Sequence, residues 1–335
     1  MLKHKMISVA TVAVLTAALA AACGSPGAGN HASGANLSGG NSASGTGSAQ
    51  TVHYPLTLTD DVGHKVTLDK QPQRIISATE GTDEILTALV SKKKIAMVTS
   101  YAADPSYSNV RSFVKGIPTI SDAATDAEKI LAAKPDLVLL ASYTKPGAVK
   151  QIEQAHVPTY EFDNFNSISD IERNIGVVGK LVGEPAKARQ VVRDMERSLT
   201  AIHQAVKREK PVTVLDYSSY GFAAGRNTTV NDVIIHAGGK NAASQLNGWA
   251  KISDEEVVKL NPDVIIDASD DKSFINKILQ DPKLQTVSAV KNHRVYVINS
   301  ADLGSVSQYV VRGVWDVAHV LYPKADLPKV TVARP

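Results

Sequence analysis

The sequence predicts an α/β protein whose body folds as two lobes of similar build, joined by one long helix. Three observations carry this. One phrase is written twice: "DAEKILAAKPDLVLLAS" over 126–142 and "SDEEVVKLNPDVIIDAS" over 253–269, an offset of 127. Short apolar runs recur between helical patterns on both sides of the chain's middle. Between the two sets lies "EPAKARQVVRDMERSLTAIHQAVKREK", residues 184–210.

Each phrase matches the other at Glu128/Glu255, Pro135/Pro262, Asp136/Asp263, Ala141/Ala268 and Ser142/Ser269. Ile130, Leu131 and Ala133, like Val257, Val258 and Leu260, form an apolar stripe on a short helix. Proline disfavours the α conformation of the residue before it, so the helices end near Lys134 and Asn261. The apolar runs that follow read as strands buried on both faces, as in a parallel sheet. Helix, turn and parallel strand make half a βαβ unit, and in each a glutamate stands at the helix start.

The chain begins with a basic start (Lys3, His4, Lys5), an apolar stretch from Ile7 to Ala22 and small residues before Cys23. This pattern is a secretory signal, residues 1–22. As a membrane span it would be short against the roughly 20 apolar residues a bilayer needs. The only cysteine in 335 residues is Cys23, directly after Ala20-Ala21-Ala22. That arrangement resembles the bacterial lipobox, in which the cysteine is lipidated; it departs in having Ala20 where leucine is commonest. With no other cysteine, the exported body folds without disulfides. Residues 24–50 carry no Asp, Glu, Lys or Arg. Gly, Ser, Ala and Asn in such proportion cannot bury a core, so 23–50 reads as a flexible tether.

The first lobe, 51–183, opens with "LTLTDDVGHKVTL", which alternates around Val62-Gly63 as a hairpin does. Strand candidates follow at 74–78, 94–99, 136–142 and 158–162. In the connector, Val191, Val192, Met195, Leu199, Ile202 and Val206 recur at helical spacing behind Pro185, which suits a first turn. About 23 helical residues span roughly 35 Å, and so stiff a link permits only small changes in a cleft between the lobes. The second lobe, 211–335, has strand candidates at 212–218, 263–269 and 295–300 and closes with a helix around 306–321.

Enzyme signatures are poor. There is no G-x-S-x-G, no H-E-x-x-H, and "AGGKNAA" lacks the spacing of a phosphate-binding loop. The body's histidines, His53, His64, His156, His203, His236, His293 and His319, read as ordinary side chains, and no metal set is assigned. The net charge of +3 is scattered, so nothing asks for nucleic acid.

Taken together, the signal, Cys23, the tether, "DDVGHKVTL", "QPQRIIS", the two phrases, the mid-chain helix, "AGGKNAA" and "VKNHRVYVI" resemble the substrate-binding lipoproteins of ABC importers for iron-siderophore complexes, cobalamin and haem. The resemblance runs over about residues 52–323. It implies the class III periplasmic-binding-protein fold, two Rossmann-like lobes with the ligand between them. It also implies a monomer lipid-anchored to the outer face of the cytoplasmic membrane, serving a permease dimer and its ATPase; since an anchor is most needed where no outer membrane confines the protein, a Gram-positive host is expected. A sensor or adhesin on the same fold, or a hydrolase, is the alternative of another class.

Ligands in such sheets lie off the carboxyl ends of the strands. That places Ser77, Thr79, Glu80, Tyr101, Tyr143 and Lys145 at the cleft from the first lobe. From the second come Tyr217, Ser219, Tyr220, Arg226, Trp249, Ser269, Asp270, Ser300 and Tyr309. Trp249, six residues before Glu255, matches the place where the cobalamin-binding member of the resembling family keeps a cleft tryptophan. Aromatics with a few cations suit a flat or amphipathic metal chelate. Arg226, Lys145 and Arg312 do not form the cluster a trianionic tris-catecholate would want. A ferric siderophore is the first expectation, a corrinoid the second and haem the third, with no resident cofactor. In the resembling family, glutamates matching Glu128 and Glu255 dock onto permease arginines. A helix-dipole role alone would also favour acids there, and Glu256 adjoins Glu255 as an alternative.

Overall fold

The computed structural model describes residues 51–120, 126–218, 220–268, 272–330 and 332. The expected signal, Cys23 and tether, and the candidates Ser219, Ser269 and Asp270, lie outside the described residues. An antiparallel hairpin comes first, β1 (Leu56–Thr59) with β2 (Lys65–Leu68). The first half then builds β3 (Ile75–Ser77), α1 (Glu80–Leu89), β4 (Ile95–Thr99), α2 (Arg111–Val114), β5 (Thr119–Ile120), α3 (Ala127–Ala132), β6 (Leu137–Ala141), α4 (Pro146–Gln154), β7 (Thr159–Phe162) and α5 (Ile168–Leu181). Its five strands pair in parallel in the order β5-β4-β3-β6-β7.

After α6 (Pro185–Val206), the second half builds β8 (Thr213–Asp216), β9 (Phe222–Ala224), α7 (Thr229–His236), β10 (Lys240–Asn241), β11 (Trp249–Lys251), α8 (Asp254–Leu260), β12 (Val264–Ala268), α9 (Lys272–Gln280), α10 (Ser288–Lys291), β13 (Val295–Ile298), α11 (Ser300–Leu303) and α12 (Val310–Leu321). β10-β8-β12-β13 form a parallel sheet, and β9 pairs with β11 antiparallel beside it.

The duplicated phrase has a duplicated structural job. β6 lies between β3 and β7, and β12 lies between β8 and β13. The helix before each ends in a left-handed residue, Lys134 (φ 50°) or Asn261 (φ 44°). The aspartate after each proline then reaches the neighbouring strand. Asp136 accepts hydrogen bonds from the backbone N–H of Gln73 (2.8 Å) and Arg74 (2.7 Å), and Asp263 from that of Thr213 (3.0 Å). Both phrases therefore set the register at which their strand enters the sheet.

Every residue of β6 is buried, as its unbroken apolar run implies. Leu137 and Leu139 face one core, and Val138 and Leu140 the opposite one. In β12, Val264 and Ile266 join the first of these cores, while Ile265 turns to a third. The first core runs through both halves and takes in Met195, Leu199, Ile202 and Val206 of α6. α6 packs on α1 and α5 of one half and on α7 and α12 of the other. The described residues form one compact unit.

Hydrogen bonds also cross between the halves. The Thr229 hydroxyl donates to the Phe165 carbonyl (2.6 Å), and the Ile168 N–H to Asp232 (2.9 Å). On another side, Asn109 Nδ2 donates to the Ala301 carbonyl (2.8 Å) and the Ser300 hydroxyl to that of Ser106 (2.5 Å).

Candidate ligand-binding cleft

The carboxyl ends of β3, β6 and β7 open onto a cavity of about 190 Å³, whose lining includes Thr79, Gly81, Thr82, Tyr143, Phe165 and Val306. Val306 comes from the second half, so both halves contribute a wall. It also explains Gly81, where a Cβ would stand 2.6 Å from Val306 Cγ2. Tyr143 stands edge-on to Phe165, ring centres 6.1 Å apart. Tyr101 stands edge-on to Tyr107 at 5.5 Å. Tyr101 is 52% exposed and Tyr143 70%, rare openness for such large rings. Lys145 is exposed at the start of α4, two residues after Tyr143.

Three acids sit behind these rings in the first turns of α1. Glu80 Oε1 is buried with no hydrogen-bond partner. Burial, then the charges of Glu84 and Asp83, push its carboxyl well above the ordinary range. Local desolvation, then the charge of Glu80, raise the Tyr143 phenol, although its ring as a whole stays largely exposed. Asp83 is fully buried and accepts from the Thr99 hydroxyl (2.5 Å) and N–H (3.1 Å); burial pushes it up to about 8. Glu84, also fully buried, accepts from the Asn109 N–H (2.8 Å) and from the hydroxyls of Ser305 (3.0 Å) and Ser307 (2.5 Å). It thus ties the cleft floor to the second half.

Tyr220, Arg226 and Trp249 gather on the small β9–β11 sheet beyond the end of β8. Tyr220 is 82% exposed and Trp249 55%. Arg226 is exposed, and its backbone is paired to Leu246 and Gly248 while its guanidinium reaches only the Gln245 carbonyl at 3.4 Å. Gly225 makes this loop possible, because a Cβ there would meet the Leu246 carbonyl at 2.5 Å.

Two expected ligand residues are corrected. Tyr217 is buried, with its hydroxyl on Asp254 (3.4 Å) and its ring tilted on Phe274. Tyr309 is fully buried in the core shared by both halves, and its N–H donates to the Ser307 hydroxyl (3.2 Å). Both follow a strand or precede a helix, as cleft residues do, but the turns that carry them aim their rings inward. The cation Arg312 is likewise engaged, on buried Asp302 at 2.8 Å. Sequence reasoning passed over Asp83, Glu84 and Phe165. The signal for the first two was a pair of acids directly before Ile85 and Leu86, inside a helix.

Glu128 and Glu255 occupy the same place, the second residue of α3 and of α8, and both are exposed. Asp126 and Ser253 are the respective helix caps. Glu256 is committed to a capping box: it accepts from the Ser253 N–H (2.7 Å), and its own N–H donates to the Ser253 hydroxyl (3.3 Å). Glu255 is left facing solvent, its carboxyl held low by its own N–H and then by the Ser253 hydroxyl.

The sequence profile described as "Periplasmic binding protein" matches residues 75–301, which contain both sheets. The chain belongs to the periplasmic binding protein family. The fold is that of its class III members, and membership makes the chain a solute-binding protein and not an enzyme. The family chain resembles the uncharacterized ABC transporter substrate-binding lipoprotein YvrC of Bacillus subtilis, 29% identical over 82% of this chain and 88% of YvrC. It is also 25% identical to a cobalamin-binding protein of Halobacterium salinarum, over 64% of this chain and 58% of that protein. Among solved structures, the periplasmic heme-binding protein RhuT of Roseiflexus sp. RS-1, in apo form, is similar with a TM-score of 0.67 and 26% identity, covering 75% of this chain and 98% of RhuT.

Proposed function

We propose that this family member is an exported, lipid-anchored binding protein that captures a metal chelate in its cleft and hands it to an ABC permease. The observation that carries the ligand class is the exposure of four aromatics, Tyr101 and Tyr143 in the first half and Tyr220 and Trp249 in the second, with a buried, unpaired carboxyl oxygen of Glu80 on the first half's side. Exposed rings at strand ends offer stacking surface to an organic ligand. Burial holds the acids behind them largely protonated, so they supply no counter-charge to a trianionic chelate, and a neutral one fits better. A ferric trihydroxamate fits that description and stands first. A corrinoid is the second reading, favoured by the exposure of Trp249 and by similarity to a cobalamin-binding protein. The anchor is Cys23, supported by the lipoprotein name of a relative. Glu128 and Glu255, one per half at the same helix position, are the permease contacts.

The test is a fluorescence titration of the protein with a ferric trihydroxamate, a ferric tris-catecholate, cobalamin and haem. Saturable quenching by the trihydroxamate is expected, with affinity falling about tenfold or more in Trp249→Ala, the loss typical of one stacked aromatic. Tight binding of cobalamin alone would replace the siderophore with a corrinoid. Tight binding of the tris-catecholate would refute the preference for a neutral ligand.

A further inference from the structure

Away from the cleft, the tip of the β1–β2 hairpin meets the edge strand β7 in a cluster of metal-ligating groups. One donor atom each from Asp60, His64 and Glu161 lie within 4.8 Å of one another. His64 Nδ1 stands 3.8 Å from Asp60 Oδ2, 3.7 Å from Glu161 Oε1 and 3.6 Å from Glu153 Oε1 on α4. These separations are beyond hydrogen-bond length. They are close to the edges, about 3.3–3.6 Å, of a tetrahedron of N and O ligands set 2.0–2.2 Å from a metal.

The side chains are built into place. The Asp60 side chain is 1% exposed; its Oδ1 is fixed by the N–H groups of His64 (2.7 Å) and Val62 (3.2 Å), and its Oδ2, which faces His64, takes only a long bond from the Glu161 N–H (3.4 Å) among the described residues. Glu161 is 7% exposed and points its carboxylate at the same imidazole. Among the described residues, no lysine or arginine forms a salt bridge with Asp60, Glu153 or Glu161. The nearby guanidinium of Arg173 is held by both oxygens of Asp61 instead (2.9 and 2.7 Å). Buried carboxylates converging on one imidazole are a hard-to-borderline donor set without sulfur.

We propose that Asp60, His64 and Glu161 bind a first-row divalent cation such as Zn(II), with Glu153 or water in the fourth position. The ion is structural, not cargo: it pins the hairpin to β7 and α4. His64, read from the sequence as an ordinary side chain, is the residue that makes the acids a site.

The full chain, stripped with a chelator and dialysed, is titrated with Zn(II) by calorimetry and then melted with and without the ion. One site per chain is expected. A Tm rise of roughly 3–8 °C is expected at a hundredfold excess of Zn(II) over Kd. His64 is 59% exposed at its side chain, so His64→Ala leaves the core intact and abolishes both signals; Glu161→Gln does the same. Co(II) gives a second readout, through strong visible absorption in the wild type that both variants lack. No Tm rise in the wild type, or an equal rise in His64→Ala, overturns the proposal.

Discussion

Asp83 and Asp216 are fully buried carboxyls that burial pushes up to about 8, with the charge of Asp267 adding to Asp216. Asp316 is held at about 6, by burial and then by Asp302. Unfolded, each would titrate near 4. Between about pH 4 and pH 8 the folded chain therefore holds protons that the unfolded chain has released. Stability from these groups is fully present below their unfolded values and is lost as pH rises through the folded ones. Asp61, held low on balance by Arg173, works the other way and loses its contribution only under stronger acid. The Tm is expected to be higher at pH 5 than at pH 8, and Asp216→Asn should flatten that slope; thermal melts across this range check it. A Tm that climbs toward pH 8 would mean the buried acids are ionised and paired. At this scale the sequence was only partly legible. Glu80, Tyr143 and Trp249 stand after a strand or at the opening of a paired loop, where the sequence pattern puts them. Tyr217 and Tyr309 could not, because distance along the chain does not tell which way a turn aims a ring.

The elements with strong periodicity were legible almost to their ends. The strands at 137–141 and 264–268 are the apolar runs of the two phrases, and the connector is helical from Pro185 to Val206. β5 and β10, two residues each, and the β9–β11 pair carry no pattern of their own and exist only through their neighbours. The final helix starts at Val310 and not near 306, because Ser305 and Ser307 are drawn off to Glu84. The repeated Pro-Asp yields a prediction at this scale. Removing Asp136 loses two charge-assisted bonds from exposed N–H groups, and removing Asp263 loses one from a part-buried N–H. Asp136→Ala and Asp263→Ala are each expected to cost about 1–2 kcal/mol, the two exposed bonds of the first being discounted because water can replace them. Urea denaturation measures both. Losses near zero would mean that register is held by side-chain packing alone.

In the whole molecule, one core runs through both halves, α6 packs on each, and Glu84 joins the floor of the cleft to Ser305 and Ser307. A body so joined is expected to change its outer surface little when a ligand binds. Two exposed glutamates, Glu128 and Glu255, repeat at one helix position on that surface, one in each half. Bare capping does not require them, since Asp126 and the Ser253–Glu256 box already cap the helices. The most direct test is uptake of the bound chelate by cells whose own copy is replaced by the Glu128→Ala/Glu255→Ala double variant, with chelate affinity and Tm of the purified protein measured alongside. Uptake is expected to fall about tenfold or more, as for loss of interfacial charge pairs, with a smaller fall in each single variant and affinity and Tm unchanged. Full uptake by the double variant, or loss of chelate binding in either single one, would contradict it.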